Sequence, residues 1–376
     1  MIPLINDNQS LQRYCLQASS QSVIMLDTEF IRQSTLNPKL GLIQLYDGEQ
    51  LALVDPLAIT EWQPLQQLLA APSITKVMHA CMEDLEALAT IGVEQITPLI
   101  DSQMAALLLG MGNSVGFAAL VERFTGERLD KGESRTNWLA RPLRDAQLQY
   151  AANDVLYLLP VYQHLIAQLS KEQLELLQLE SAQLMVRRSM QWPDHLRFID
   201  LKNSWQLNSR ALAVLQPLTE WRIQYARSKD LALTFIFKDA QLFELAKRSP
   251  VNMTQLMAIR ALPERELRRH ANQLLALIEK ALASNPANWP QAFYHRDQFP
   301  GYRETTGIIR QAIQQAADQT GLPAELLATK RQQTEFLNWC WRVTDAQRAD
   351  LPTPELLRGW RHAKLQPYLP WPEHLD

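Results

Sequence analysis

The chain has 376 residues, 47% of them hydrophobic, and a formal net charge of −3, which suits two or three domains with sizeable cores. No apolar run approaches the roughly 18 residues of a membrane span. No basic-then-apolar leader is seen, and Cys15, Cys81 and Cys340 lie too far apart for a disulfide framework or a zinc site. A cytoplasmic protein with reduced thiols and no membrane partner is therefore expected.

In chain order, Val23–Phe30 reads as a buried strand that carries two acids, Asp27 and Glu29. Residues 41–46 and 51–54 read as two further strands, and Asp47-Gly48 between them is a hairpin signal. Residues 77–79 and 99–100 are short buried strands. Helical patterns follow near 83–91, 102–110, 115–124 and 143–169, with Pro160 kinking the last or starting a new helix. Strands that first meander and then alternate with helices predict a mixed sheet flanked by helices. Beyond residue 171 strand signals nearly vanish. The divisions expected are 1–170, a connecting segment 171–204, a helical domain 205–284, a Pro- and Asn-rich linker 285–300 and a second helical domain 301–376. Residues 1–170 carry a surplus of acidic side chains and 205–282 a surplus of basic ones. This is the division a metal site beside a polyanion-binding module would give, or ordinary scatter of solvated charge.

Five polar residues stand out in apolar stretches: Asp27, Glu29, Asp84, Tyr150 and Asp154. Asp27 and Glu29 are i and i+2 on a strand, so they share a face. Tyr150 and Asp154 are i and i+4 on a helix, one turn apart. Asp84 sits in the first turn of a helix, where the macrodipole favours a negative charge. Taken singly, Asp84 reads as a helix-start charge and Tyr150 as a core aromatic with a satisfied hydroxyl. Asp101 is expected to cap the helix that begins at Ser102. Four carboxylates without His or Cys suit Mg²⁺ or Mn²⁺. Two such ions form the arrangement used for phosphodiester hydrolysis.

The ordered set Asp27-Thr28-Glu29, then Asp84, then Tyr150-x-x-x-Asp154 resembles the DEDD exonucleases of the tyrosine subclass. Leu26–Phe30, Leu40–Leu45, Ser134–Leu143 and Tyr150–Val155 are similar to the bacterial ribonuclease D family across the whole chain. The resemblance implies a ribonuclease H-like α/β exonuclease domain, a mixed sheet flanked by helices. It also implies 3′→5′ hydrolysis of RNA to 5′-mononucleotides. Asp27, Glu29, Asp84 and Asp154 would hold two divalent cations and Tyr150 would position the water. Thr28, Phe30, His79, Arg135, Trp138 and Arg141 become candidate substrate contacts, with core packing or surface solvation as the alternatives. His79 stands where the wider superfamily often has Asn.

Trp205–Leu207, Leu218–Arg222, Ala226–Asp230 and Leu242–Ala246 resemble the HRDC domain of RecQ-type helicases and ribonuclease D. Two all-α HRDC-type domains are thus implied, the second diverged. Arg222, Arg227, Lys229, Lys238, Lys247 and Arg248 are candidate nucleic-acid contacts or solvated charges. The partners implied are single-stranded RNA 3′ ends, tRNA precursors above all, met by a monomer. A DNA exonuclease on the same fold and a non-catalytic RNA-binding scaffold are the competing readings.

Overall fold

A computed structural model describes residues 4–369 except 131 and 191. Residues 370–376 of the expected last domain lie outside the described residues. The chain forms two compact units, one of residues up to 33 with 37–190 and one of 34–36 with the remainder from 191.

In the first unit, β1 (Leu4–Ile5), α1 (Asn8–Ala18), β2 (Val23–Ile31), β3 (Lys39–Tyr46), β4 (Leu51–Val54) and α2 (Gln63–Ala70) come first. β5 (Thr75–Met78), α3 (Met82–Ala89), β6 (Leu99–Asp101), α4 (Ser102–Leu108), α5 (Phe117–Thr125), α6 (Asp145–Leu156), α7 (Leu158–Ile166) and α8 (Lys171–Ser189) follow. The sheet order is β1-β4-β3-β2-β5-β6, with β2, β3 and β4 antiparallel and β5 and β6 parallel to β2. The expected hairpin turn forms at Asp47–Gln50. Asp47 Oδ1 accepts from the backbone N–H groups of Glu49 and Gln50, and Gly48 takes φ +96°. Pro160 falls in the first turn of α7, so it starts a helix there.

Alternation along the strands separates the two faces of the sheet. Leu26, Ile43, Leu45, Ala52 and Val54 pack with Leu11, Leu65 and Leu85 of the helices. Each such leucine stabilises the fold by about 1.5–3 kcal/mol on burial. On the opposite face Leu42 and Leu53 pack with Trp138, Leu143 and Ala151, and α6 covers β2, β3 and β4 there. That is the face of Asp27 and Glu29. The β2–β3 register steps from Glu29↔Leu42 to Phe30↔Leu40, which leaves Gly41 as the extra residue of a bulge. A side chain could not sit there, because a Cβ on Gly41 would lie 2.8 Å from Trp138 Cβ and from its carbonyl oxygen.

The segment 171–204, expected as a connection, is structured on both sides of residue 190. Helix α8 starts on a Ser170/Gln173 capping box and buries Leu177 and Leu184 in the first unit. Leu196, Phe198 and Ile199, from a 3₁₀ turn at Asp194–Ile199, belong to the core of the second. Among the described residues, the second unit contains helices and connecting segments but no strand. Helices α9 (Ser209–Lys229), α10 (Leu233–Ile236), α11 (Asp239–Arg248), α12 (Met253–Met257) and α13 (Glu264–Ala283) share that core. Helices α14 (Tyr302–Thr320), α15 (Ala324–Leu327), α16 (Lys330–Trp341), α17 (Asp345–Arg348) and α18 (Gly359–Leu365) follow. A further core joins Ile309, Ile313, Leu327, Phe336, Leu356 and Leu365.

Candidate active site

Strand β2 delivers Asp27 and Glu29, and helix α6 crosses above it to deliver Tyr150 and Asp154. Carboxylate oxygens of Asp27, Glu29 and Asp154 lie within 4.8 Å of one another. Asp84 comes from the first turn of α3, and the Thr28 hydroxyl donates a 2.5 Å hydrogen bond to its Oδ1. The Tyr150 phenol and the Asp154 carboxylate lie one turn apart on α6, close enough that each shifts the titration of the other. The sequence spacing therefore brings the five residues to one place, from three separate stretches of chain.

The electrostatics of this cluster are unfavourable without a cation. Burial, and then the charges of Asp84, Asp154 and Glu29, hold Asp27 well above the ordinary carboxylate range. Burial and the Asp154 and Asp84 charges push Glu29 up to about 9. Burial raises Asp84 to about 7 against the opposing effect of the Thr28 bond, and raises Asp154 to about 7 against that of the Tyr150 bond. Burial also pushes the Tyr150 phenol upward, as do the Asp154, Glu29 and Asp27 charges, so it stays protonated. Desolvated carboxylates this close either take up protons or share cations. The donors are all oxygens, which suits hard divalent ions.

The turn that launches α3 has its own brace. Asp101 caps α4 as expected, accepting from the Gln103 N–H at 2.8 Å. Its carboxylate also accepts from the N–H groups of Ala80 and Cys81. Ala80 sits at φ +54°, a conformation an alanine adopts only when its surroundings impose it. Asp101 thus fixes the entry of the helix that carries Asp84.

The remaining candidates separate clearly. Trp138 is 1% exposed and packs on Gly41, with its ring 6.1 Å from that of Tyr150. It cannot stack a base. Arg141 is also structural, because all five of its N–H donors are used. They bind both oxygens of Asp55 and the carbonyls of Gly41, Trp138 and Ala140. It ties the bulge to the loop beneath Tyr150. His79 is half-buried, with Nδ1 2.9 Å from Ser102 Oγ and its ring 5.5 Å from that of Phe117. Thr28 is buried on Asp84, and Phe30 packs partly into the core. Arg135 is exposed.

In the helical unit Arg222 is 4% exposed and bound to Asp239 and to the Phe237 carbonyl, so it is held in the core and withdrawn from any phosphate. Arg227 is paired with Asp194 and Arg248 with Glu244, both at the surface. Lys229, Lys238 and Lys247 are exposed, Lys247 lying 5.8 Å from the Phe243 ring centre. Sequence reasoning missed Gly41 and Asp55 as the partners that hold Trp138 and Arg141 in place. The signal available was polar or small residues inside the apolar stretches 40–46 and 51–55.

Comparison with known proteins places these features in a family context. The 3′-5′ exonuclease family is matched over residues 2–170 and the HRDC domain over 211–278. The ribonuclease D C-terminal HRDC domain is matched over 300–369. Ribonuclease D of Escherichia coli (strain K12) is 41% identical over 95% of this chain and 94% of its own. Ribonuclease D of Shewanella sp. (strain ANA-3) is 41% identical over 95% of this chain and 90% of its own. The crystal structure of Escherichia coli RNase D, described as an exoribonuclease involved in structured RNA processing, superimposes with a TM-score of 0.88. It is 39% identical and covers 98% of this chain and 100% of its own. The catalytic core of RRP6 from Trypanosoma brucei shares the fold, with a TM-score of 0.61 at 23% identity over 75% of this chain and 80% of its own.

Proposed function

This chain belongs to the ribonuclease D family, and we propose on that premise that Asp27, Glu29, Asp84 and Asp154 hold two divalent cations, Mg²⁺ or Mn²⁺, for hydrolysis of RNA. The activity is that of a 3′→5′ exoribonuclease. The observation that carries the site is the convergence of three carboxylates within 4.8 Å, with a fourth electrostatically tied to them.

When bound, such cations lower the pKa of an attacking water and offset the charge that builds on the phosphate. The protein groups do the positioning. Thr28 fixes one oxygen of Asp84. Tyr150, one turn from Asp154 on α6, places beside the cluster a phenol oxygen that can accept from a water. Tyr150 in this position orients that water or helps to take its proton. The water oxygen bonds to the phosphorus as the P–O3′ bond to the preceding nucleotide breaks; the water gives up a proton, the departing 3′ oxygen gains one through solvent, and a 5′-mononucleotide is released.

The substrates proposed are unpaired 3′ ends of small structured RNAs, tRNA precursors above all, trimmed in the cytoplasm by a monomer. No helix among the described residues is long and apolar enough to cross a membrane. Lys229, Lys238, Lys247 and Arg248 are the phosphate contacts proposed for the helical unit, since their side chains are exposed. A 5′-labelled RNA hairpin with an unpaired 3′ tail, beside the matching DNA, tests the substrate reading. Stepwise shortening of the RNA tail that stalls at the duplex is expected. Equal turnover of the DNA would favour a general exonuclease, and no shortening of either would favour a binding scaffold.

A further inference from the structure

Gln44 stands inside the apolar strand β3 and is fully buried, yet neither its amide nitrogen nor its amide oxygen has a hydrogen-bond partner in the protein. A side-chain amide offers two donors and an acceptor, and burying it unpaired costs folding free energy. Methionine or leucine would fill the place without that cost. The strand ladder shows what the amide faces. Asp27 lies directly across on β2 and Leu53 directly across on β4. Opposed residues of antiparallel strands point to the same face, which here is the face covered by α6. The pair beyond, Leu42 with Glu29, brings the second acid of the cluster onto the diagonal. The charged groups that the ladder sets nearest to this buried amide are therefore Asp27 and Glu29.

We propose that Gln44 is a positioning residue for the cation site: its amide N–H donates to the Asp27 carboxylate in the cation-loaded enzyme and fixes which oxygen faces the cation. Groups that orient metal-binding side chains from behind commonly do this for affinity and geometry. The assignment rests on reading Asp27 as a metal-holding residue.

The test uses the full chain with Gln44→Leu, Gln44→Met and Asp27→Asn. Mn²⁺ binding is followed by electron paramagnetic resonance, thermal unfolding is measured in chelator, and kcat and KM are measured on single-stranded RNA. Both Gln44 variants should unfold at or above the parental temperature and bind Mn²⁺ about 10-fold more weakly. They should lose kcat while KM for RNA holds. Parental Mn²⁺ affinity in the Gln44 variants, with weakened affinity in Asp27→Asn, overturns the positioning role alone. Parental affinity in Asp27→Asn overturns the site reading beneath it. Failure of both Gln44 variants to fold shows the amide to be structural and also overturns the proposal.

Discussion

The Thr28 hydroxyl donates a 2.5 Å hydrogen bond to Asp84 Oδ1, tying the strand of Asp27 and Glu29 to the helix of Asp84. The residue between the two acids thus orients the third. Thr28→Val keeps the shape and removes the donor. We expect kcat to fall about 10-fold, the lower end of the range for lost orienting partners, with the unfolding temperature nearly unchanged. Steady-state kinetics on single-stranded RNA beside a thermal melt checks this, and an unaltered kcat would count against it.

Tyr150→Phe removes the hydroxyl proposed to orient the water and keeps the ring against Trp138. Loss of about 100-fold in kcat is expected, in the range for positioned proton-handling groups. RNA affinity measured without turnover should stay put. A drop in affinity with kcat intact would make Tyr150 a binding residue.

The raised carboxyl pKa values predict an inverted pH dependence for the metal-free protein. Unfolded Asp and Glu titrate near their ordinary values of 3.8 and 4.5, while Asp84 and Asp154 are raised to about 7 and Glu29 to about 9 in the fold. Between those limits the unfolded state has released protons that the folded state keeps. Stability present below about pH 4 is therefore lost as pH rises toward 9. In chelator the unfolding temperature should fall over that window, and Mg²⁺ should restore it by a margin that widens with pH. Asp27→Asn should flatten both trends. A Mg²⁺ effect independent of pH would refute this linkage.

Gly41→Ala drives a Cβ to 2.8 Å from the Trp138 backbone and side chain. Forcing atoms into a packed region costs about 1–3 kcal/mol, which urea unfolding would read. Because that loop packs beneath Tyr150, activity should fall with stability. A neutral substitution would mean the loop shifts freely.

Arg222 and Lys229 should behave oppositely in the helical unit. Arg222→Met removes a buried cation bound to Asp239 and should act on stability, leaving the salt dependence of RNA binding unchanged. Lys229→Ala should leave stability alone and reduce the slope of log K against log salt by about 0.7, the contribution of one phosphate contact on a single strand. The reverse pattern would exchange their roles.

Much of the exonuclease unit was legible because periodicity of two or of 3.6 fixes a side chain's direction. That put Asp27 with Glu29 and Tyr150 with Asp154 before any coordinates. The roles of Trp138, Arg141 and Arg222 were not legible in that way. Arg and Trp suit phosphate and base contacts as well as they suit internal clasps. Only the distant partners decide: Asp55 and the Gly41 carbonyl for Arg141, Asp239 for Arg222. The bulge at Gly41 was hidden too, since it exists only in the pairing of β3 with β2.

The central claim is that the Asp27, Glu29, Asp84 and Asp154 cluster performs metal-dependent hydrolysis from the RNA 3′ end. Its most direct test is single-turnover cleavage of a 5′-labelled, unstructured RNA by the parent and by Asp27→Asn, with Mg²⁺ and with chelator. The account predicts a ladder shortening one nucleotide at a time from the 3′ end, with 5′-mononucleotides as product. That ladder should appear for the parent with Mg²⁺ and vanish in chelator and in Asp27→Asn. Cleavage that persists in chelator, or at parental rate in Asp27→Asn, would contradict it.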